Sequence, residues 1–147
     1  MPFYGAKAGT PLDALFQEAD AIVLSCALTA ETKGLVDARR IGLMKRRAVL
    51  INVARGPVVV TQALLEALKQ GAIAGAALDV HDVQPLAPDN PVLTVPNLLL
   101  TPHIAAITAT SSRFMSVGSV EEMLLILRGQ DPKNLANPGY RAQRGQS

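Results

Sequence analysis

A chain of 147 residues in which 49% of side chains are hydrophobic and 18% charged has the length of one ordinary domain and a globular composition. A formal charge of +2, scattered along the chain, leaves no electrostatic footprint for nucleic acid, and two tyrosines with three phenylalanines offer little to stack on bases. The lone Cys26 excludes an intrachain disulfide, no charged start leads into a cleavable apolar segment, and no apolar run approaches the roughly 18 residues of a membrane span. The chain therefore reads as cytoplasmic, with neither nucleic acid nor membrane as a partner.

Pro11-Leu-Asp-Ala-Leu-Phe-Gln-Glu-Ala has apolar residues at helical spacing, and Ala21-Ile-Val-Leu-Ser-Cys26 then reads as a buried strand. A short helical segment follows from Asp37 to Met44, and Lys45-Arg46-Arg47 beyond it would complement the negative end of its dipole. Ala48-Val-Leu-Ile-Asn52 is a second buried strand, of the parallel kind. Thr61 to Gln70 is a strong helix, with Thr61 placed to cap it and Gly71 to stop it. A third strand lies near Ala74 to Val80. The proline-dense Pro85-Leu-Ala-Pro-Asp-Asn-Pro91 must be a loop leading to a short strand, Leu98 to Thr101. A long helix is predicted from about Thr108 to Leu127, with Phe114, Val117, Val120, Leu124 and Leu127 on one face as core. Beyond Gly129 the tail is rich in Pro, Gly, Gln and Arg, and its last residues should be mobile.

Strands alternating with helices predict an α/β fold, part of a doubly wound parallel sheet with right-handed crossovers. Residues 1–128 carry this pattern with a long C-terminal helix on this reading, and 129–147 form an extended tail. No Gly-x-Gly-x-x-Gly turn, the usual seat of a pyrophosphate at a helix N-terminus, occurs in the chain.

Ligands of open α/β sheets bind at the carboxyl ends of the strands, and three such ends here deliver an arginine, an aspartate and a histidine. Arg55, in the turn after Asn52, has a planar fork of donors matched to a carboxylate; the alternative is a salt bridge closing the strand. Asp79 ends an apolar strand, where an acid must find hydrogen-bond donors, so it either caps the following turn or meets a ligand. His103 follows Thr101-Pro102, and histidine is the side-chain type suited to give and regain a proton near neutrality; a structural role is the alternative.

Asn52-Val-Ala-Arg-Gly56, Ala77-Leu-Asp-Val80 and Thr101-Pro-His-Ile104, in this order, make the chain resemble the D-isomer-specific 2-hydroxyacid dehydrogenases from about Thr10 to about Pro138. The resemblance implies that residues 1–128 are a partial dinucleotide-binding domain, a Rossmann-like fold lacking its first βαβ unit and the family's substrate domain, which come earlier in relatives. It implies NAD as cofactor, NADP not being excluded because the position that decides between them follows an earlier strand. By the same resemblance Arg55 clamps a small carboxylate substrate and His103 is the acid/base. Asp79 accepts from the nicotinamide carboxamide, Val53 and Ala54 pass near the nicotinamide, and Cys26 faces the cofactor. His81, where relatives often carry an aromatic residue, reads as structural.

The chain departs from the family at Gln84, where a glutamate usually pairs with the catalytic histidine: an amide keeps the hydrogen bond but supplies no charge. Milder departures are Arg46 and Arg47 before a strand, Val60, and Ala105 and Ala106 where glycines often follow the histidine. Alanine would crowd the cofactor beside Ala105 if the backbone there needed a positive φ. The expected function is NAD(P)-dependent reduction of a 2-keto acid by a truncated chain that is expected to be inactive alone; the alternatives are a non-catalytic fragment or co-repressor-like binding module, and formate-type hydride transfer. A half-sheet with one unpaired edge and an uncovered helix face should self-associate or pair with a partner that supplies the missing half, and a homo-oligomer, such as a homodimer, is expected.

Overall fold

The computed structural model describes residues 9–137 and 139. Its two compact units divide between Ala105 and Ala106. In the first unit, strands β1 (Ala21–Leu24), β2 (Val49–Asn52), β3 (Gly75–Leu78) and β4 (Leu98–Leu100) form one sheet in the order β1-β2-β3-β4, every pair parallel. The partial Rossmann-like α/β sheet expected from the sequence is thus present.

The register explains how the sheet is buried. Ile22, Leu50, Ala76 and Leu98 are partners across the sheet, as are Leu24, Asn52, Leu78 and Leu100, so these rows share one face. That face is buried or half-buried in every strand. The opposite face is exposed at the two edge strands, where Val23 is 57% exposed and Leu99 64%, and half-buried at Val49, Ile51 and Ala77 between them. The continuous apolar run Val49 to Ile51, which reads as a buried strand, is buried on one face and half-buried on the other.

Three helices accompany this sheet: α1 (Leu12–Glu18), α2 (Ala38–Leu43) and α3 (Thr61–Lys69). Phe16, Ile41, Leu64 and Leu68 from them join Ile22, Leu50 and Leu78 of the strands in one core. Asp37 caps α2 by accepting from the Arg40 amide at 2.9 Å. Thr61 does not cap α3. Val60 holds the cap position, with no side-chain bond, and the Thr61 hydroxyl instead donates to Asp82 at 2.6 Å. Gly71 does stop the helix, at a φ of +63° that suits glycine. Lys45 and Arg47 both lie 3.0 Å from one Asp20 oxygen, so these cations pair with a carboxylate at the start of β1 besides following α2. Asp13 likewise binds Arg39 and Arg40 from α2.

The second unit contains α4 (Ala109–Leu127), opened by a capping box in which Thr108 and Ser111 exchange side-chain and backbone bonds. Lys133 and Asn134 fold back onto the Glu122 carboxylate. The stripe expected as core is not buried: Phe114 is 75% exposed, and Val117, Val120, Leu124 and Leu127 are exposed as well. Met115, Met123 and Ile126 occupy other sides, so the helix is apolar nearly all round, and a periodicity argument on one face mistook capacity for burial. The mobility expected at the end of the tail falls on positions outside the described residues.

Candidate active site

The site is assembled from the turns that follow β2, β3 and β4. Asn52, fully buried, governs the first: its Oδ1 accepts from the Ala54 amide and its Nδ2 donates to the Arg55 carbonyl, both at 3.0 Å. This Asx-type clasp turns the chain out of the sheet, burying Ala54 and leaving Val53 and Arg55 at the surface. The Arg55 guanidinium donates back to the Ala54 carbonyl at 2.6 Å and makes no hydrogen bond or ion pair to Asp79, Gln84 or His103.

Asp79 is buried at the end of β3 and is the anchor of the third turn. Oδ1 accepts from the Thr101 hydroxyl at 2.5 Å and from the Ile104 amide at 2.9 Å, while Oδ2 accepts from the Ala105 amide at 2.9 Å. Burial pushes the carboxyl up, but the hydroxyl, the two amides and the nearby His103 together outweigh it and hold its pKa below the ordinary aspartate range. Capping the turn is therefore one role Asp79 performs. A carboxylate has about four lone-pair sites, so Oδ2 retains capacity for one further donor.

That turn holds His103 at a φ of +59°, a left-handed conformation uncommon for any residue but glycine. The Asp79 bonds to the next two amides are what stabilise it. Ala105 and Ala106 are not among the residues of positive φ, so alanine costs no backbone strain there. The same turn brings His103 Nδ1 to 3.0 Å from Gln84 Oε1, and Gln84 Nε2 donates to the His81 carbonyl at 3.5 Å, the long end of the range. A cavity of about 600 Å³ opens on this pair, with His81, Gln84 and His103 as its polar wall and Leu86, Leu93 and Leu100 among its apolar ones. Cys26, just beyond β1, is half-buried against the core.

The geometry thus joins Gln84 to His103, and Asp79 to the backbone beside His103, and leaves Arg55 and Cys26 on neighbouring strand ends. Asn52 and Thr101 are the positioning residues that sequence reasoning passed over. Each had a signal: a polar residue where an apolar strand meets a turn has backbone groups to satisfy. Among the described residues no cluster of three or more His, Cys, Asp or Glu could hold a metal ion, and no helix is long and apolar enough to cross a membrane.

A parallel sheet that gathers an amide-paired imidazole, a buried carboxylate and an exposed arginine at its strand ends has the arrangement of a partial dinucleotide-binding α/β domain. Residues 3–105 match the family model described as D-isomer specific 2-hydroxyacid dehydrogenase, NAD binding domain, and the chain belongs to that family. It is 43% identical over 128 residues to a glyoxylate reductase of Thermofilum pendens, covering 87% of this chain and 38% of that protein. The crystal structure of a protein from Thermus thermophilus superposes with a TM-score of 0.85 at 40% identity, covering 93% of this chain and 44% of the other. A D-isomer specific 2-hydroxyacid dehydrogenase from Xanthobacter autotrophicus Py2, in complex with NADPH and MES, gives 0.72 at 39% identity, covering 86% and 52%. The chain spans about two fifths of the length of the curated relatives it matches.

Proposed function

We propose that this chain supplies the acid/base and carboxylate-binding half of an NAD(P)-dependent enzyme that reduces a small 2-keto acid to the 2-hydroxy acid, in the cytoplasm and as a homo-oligomer. The observation that carries the reading is the His103–Gln84 contact at 3.0 Å, made by a histidine held in a left-handed turn by Asp79. Arg55, tethered among the described residues to its own turn, is available to bind the substrate carboxylate through its fork of donors. By the family resemblance Val53, Ala54, Cys26 and Ala105 would lie near a bound nicotinamide, and Asp79 Oδ2, which has a spare lone pair, would accept from its carboxamide. A bound nicotinamide would supply the hydride. His103 would give the proton to the carbonyl oxygen as negative charge develops there, while Gln84 keeps the ring oriented without adding charge. That neutral partner favours a second reading, formate-type hydride transfer, which needs no proton donor.

A chimera tests both. Residues 10–137 replace the matching segment of the Thermofilum pendens glyoxylate reductase, and oxidation of NADH and NADPH is followed with 2-keto acids across pH. His103→Ala should lower turnover by about 10²–10⁴-fold, the usual span for a lost acid/base group. Gln84→Glu, placing a carboxylate beside the imidazolium, should extend reduction to higher pH. A chimera that binds cofactor yet reduces no 2-keto acid overturns the proposal in favour of a non-catalytic module. Formate oxidation insensitive to His103→Ala would establish the second reading.

A further inference from the structure

Gly56 has no role in the chemistry just described, yet among the described residues it is the most tightly confined glycine of the first unit. A Cβ built on it would fall inside the van der Waals envelope of the His81 carbonyl carbon and oxygen, and 2.5 Å from the Asp82 nitrogen. All three are backbone atoms, which cannot swing aside as the end of a side chain can. The Arg55–Gly56 turn therefore lies flat against the His81–Asp82 peptide. A second tether holds the same segment, because the Thr61 hydroxyl at the start of α3 donates to the Asp82 carboxylate.

The His81 carbonyl matters because of what it accepts. It takes a hydrogen bond from Gln84 Nε2, so the other end of the amide, Oε1, is the atom turned toward His103. An amide oxygen has no hydrogen to give, and His103 Nδ1 must then carry the proton between them. The remaining nitrogen, Nε2, is left as the lone pair of the neutral ring and as the free N–H of the charged one. We propose that Gly56 is a positioning residue: by seating the His81 peptide it orients the Gln84 amide, and through that amide it sets the tautomer of His103. The catalytic consequence, a predetermined Nε2 facing substrate, rests on the reading of His103 as the acid/base, whereas the tautomer itself is a property of the chain.

The test uses the 147-residue chain with ¹⁵N-labelled histidine, above the pH at which the imidazoles titrate, and long-range ¹H–¹⁵N correlation to read which nitrogen is protonated. With two histidines in the chain, His81→Phe assigns the spectrum and keeps the backbone carbonyl, so His103 should show Nδ1–H in it as in the parent. Gln84→Leu should convert His103 to the Nε2–H form. Gly56→Ala, with its spectrum still dispersed, should lose the pure Nδ1–H signature. A parent chain with Nε2–H, or a folded Gly56→Ala with an unchanged tautomer, overturns the proposal. Should Gly56→Ala fail to fold, the parent and Gln84→Leu decide whether the relay exists. An inactive chimera beside an intact Nδ1–H signature would refute the proposed function and leave this inference standing.

Discussion

Asp79 shows how much one side chain can organise. Its three accepted bonds tie β3 to the turn after β4, and they stabilise the left-handed backbone of His103. Asp79→Asn would turn an amide NH₂ toward one of these donors and should cost about 1–3 kcal/mol. The pH dependence has a definite sign. Because the folded carboxyl titrates below its unfolded value, its contribution is complete at neutral pH and is lost as pH falls from about 4 through the lower folded pKa. Urea midpoints measured at pH 7 and pH 3 should therefore show parent and Asp79→Asn converging at the acid end; a gap of constant size would refute the assignment. Sequence reasoning saw that an acid ending an apolar strand needs donors. It did not see which donors, since Thr101, Ile104 and Ala105 are remote in the chain and reach Asp79 only through the pairing of β3 with β4.

At the scale of elements, the legible parts were those whose signal is local. The amphipathic run of α3 and its glycine stop, the short helix after Asp37 and the short apolar strands follow from neighbours in sequence. Leu64 is fully buried in α3, and Leu64→Ala should destabilise the chain by about 2–5 kcal/mol, read as a lower urea midpoint with unchanged slope. An effect within a few tenths of a kcal/mol would mean that α3 does not pack on this core. The long helix α4 was found by the same local logic, but its environment was not, because burial depends on what a helix meets rather than on its own pattern.

For the whole molecule, one face of the sheet is covered and the other is exposed at its edge strands. Val23 and Leu99 stand on that second face, half or more exposed, beside half-buried Ile51 and Ala77. An apolar surface of that kind favours association, so the chain should sediment as oligomers whose proportion rises with concentration. Val23→Lys with Leu99→Lys should shift it toward monomer. A monomer at every concentration, or association indifferent to both lysines, would show that this face is not the contact.

The order of the strands has a bearing on how the chain reaches this state. Because β1, β2, β3 and β4 lie side by side in the order of synthesis, each ladder closes a single crossover and none waits for a segment made later. A nascent chain leaving the ribosome could pair β1 with β2 as soon as the latter emerged, then add β3 and β4 to a growing edge. Until each new strand arrives, that edge is an open template, and the rate of translation rather than the final stability governs how long it stays so.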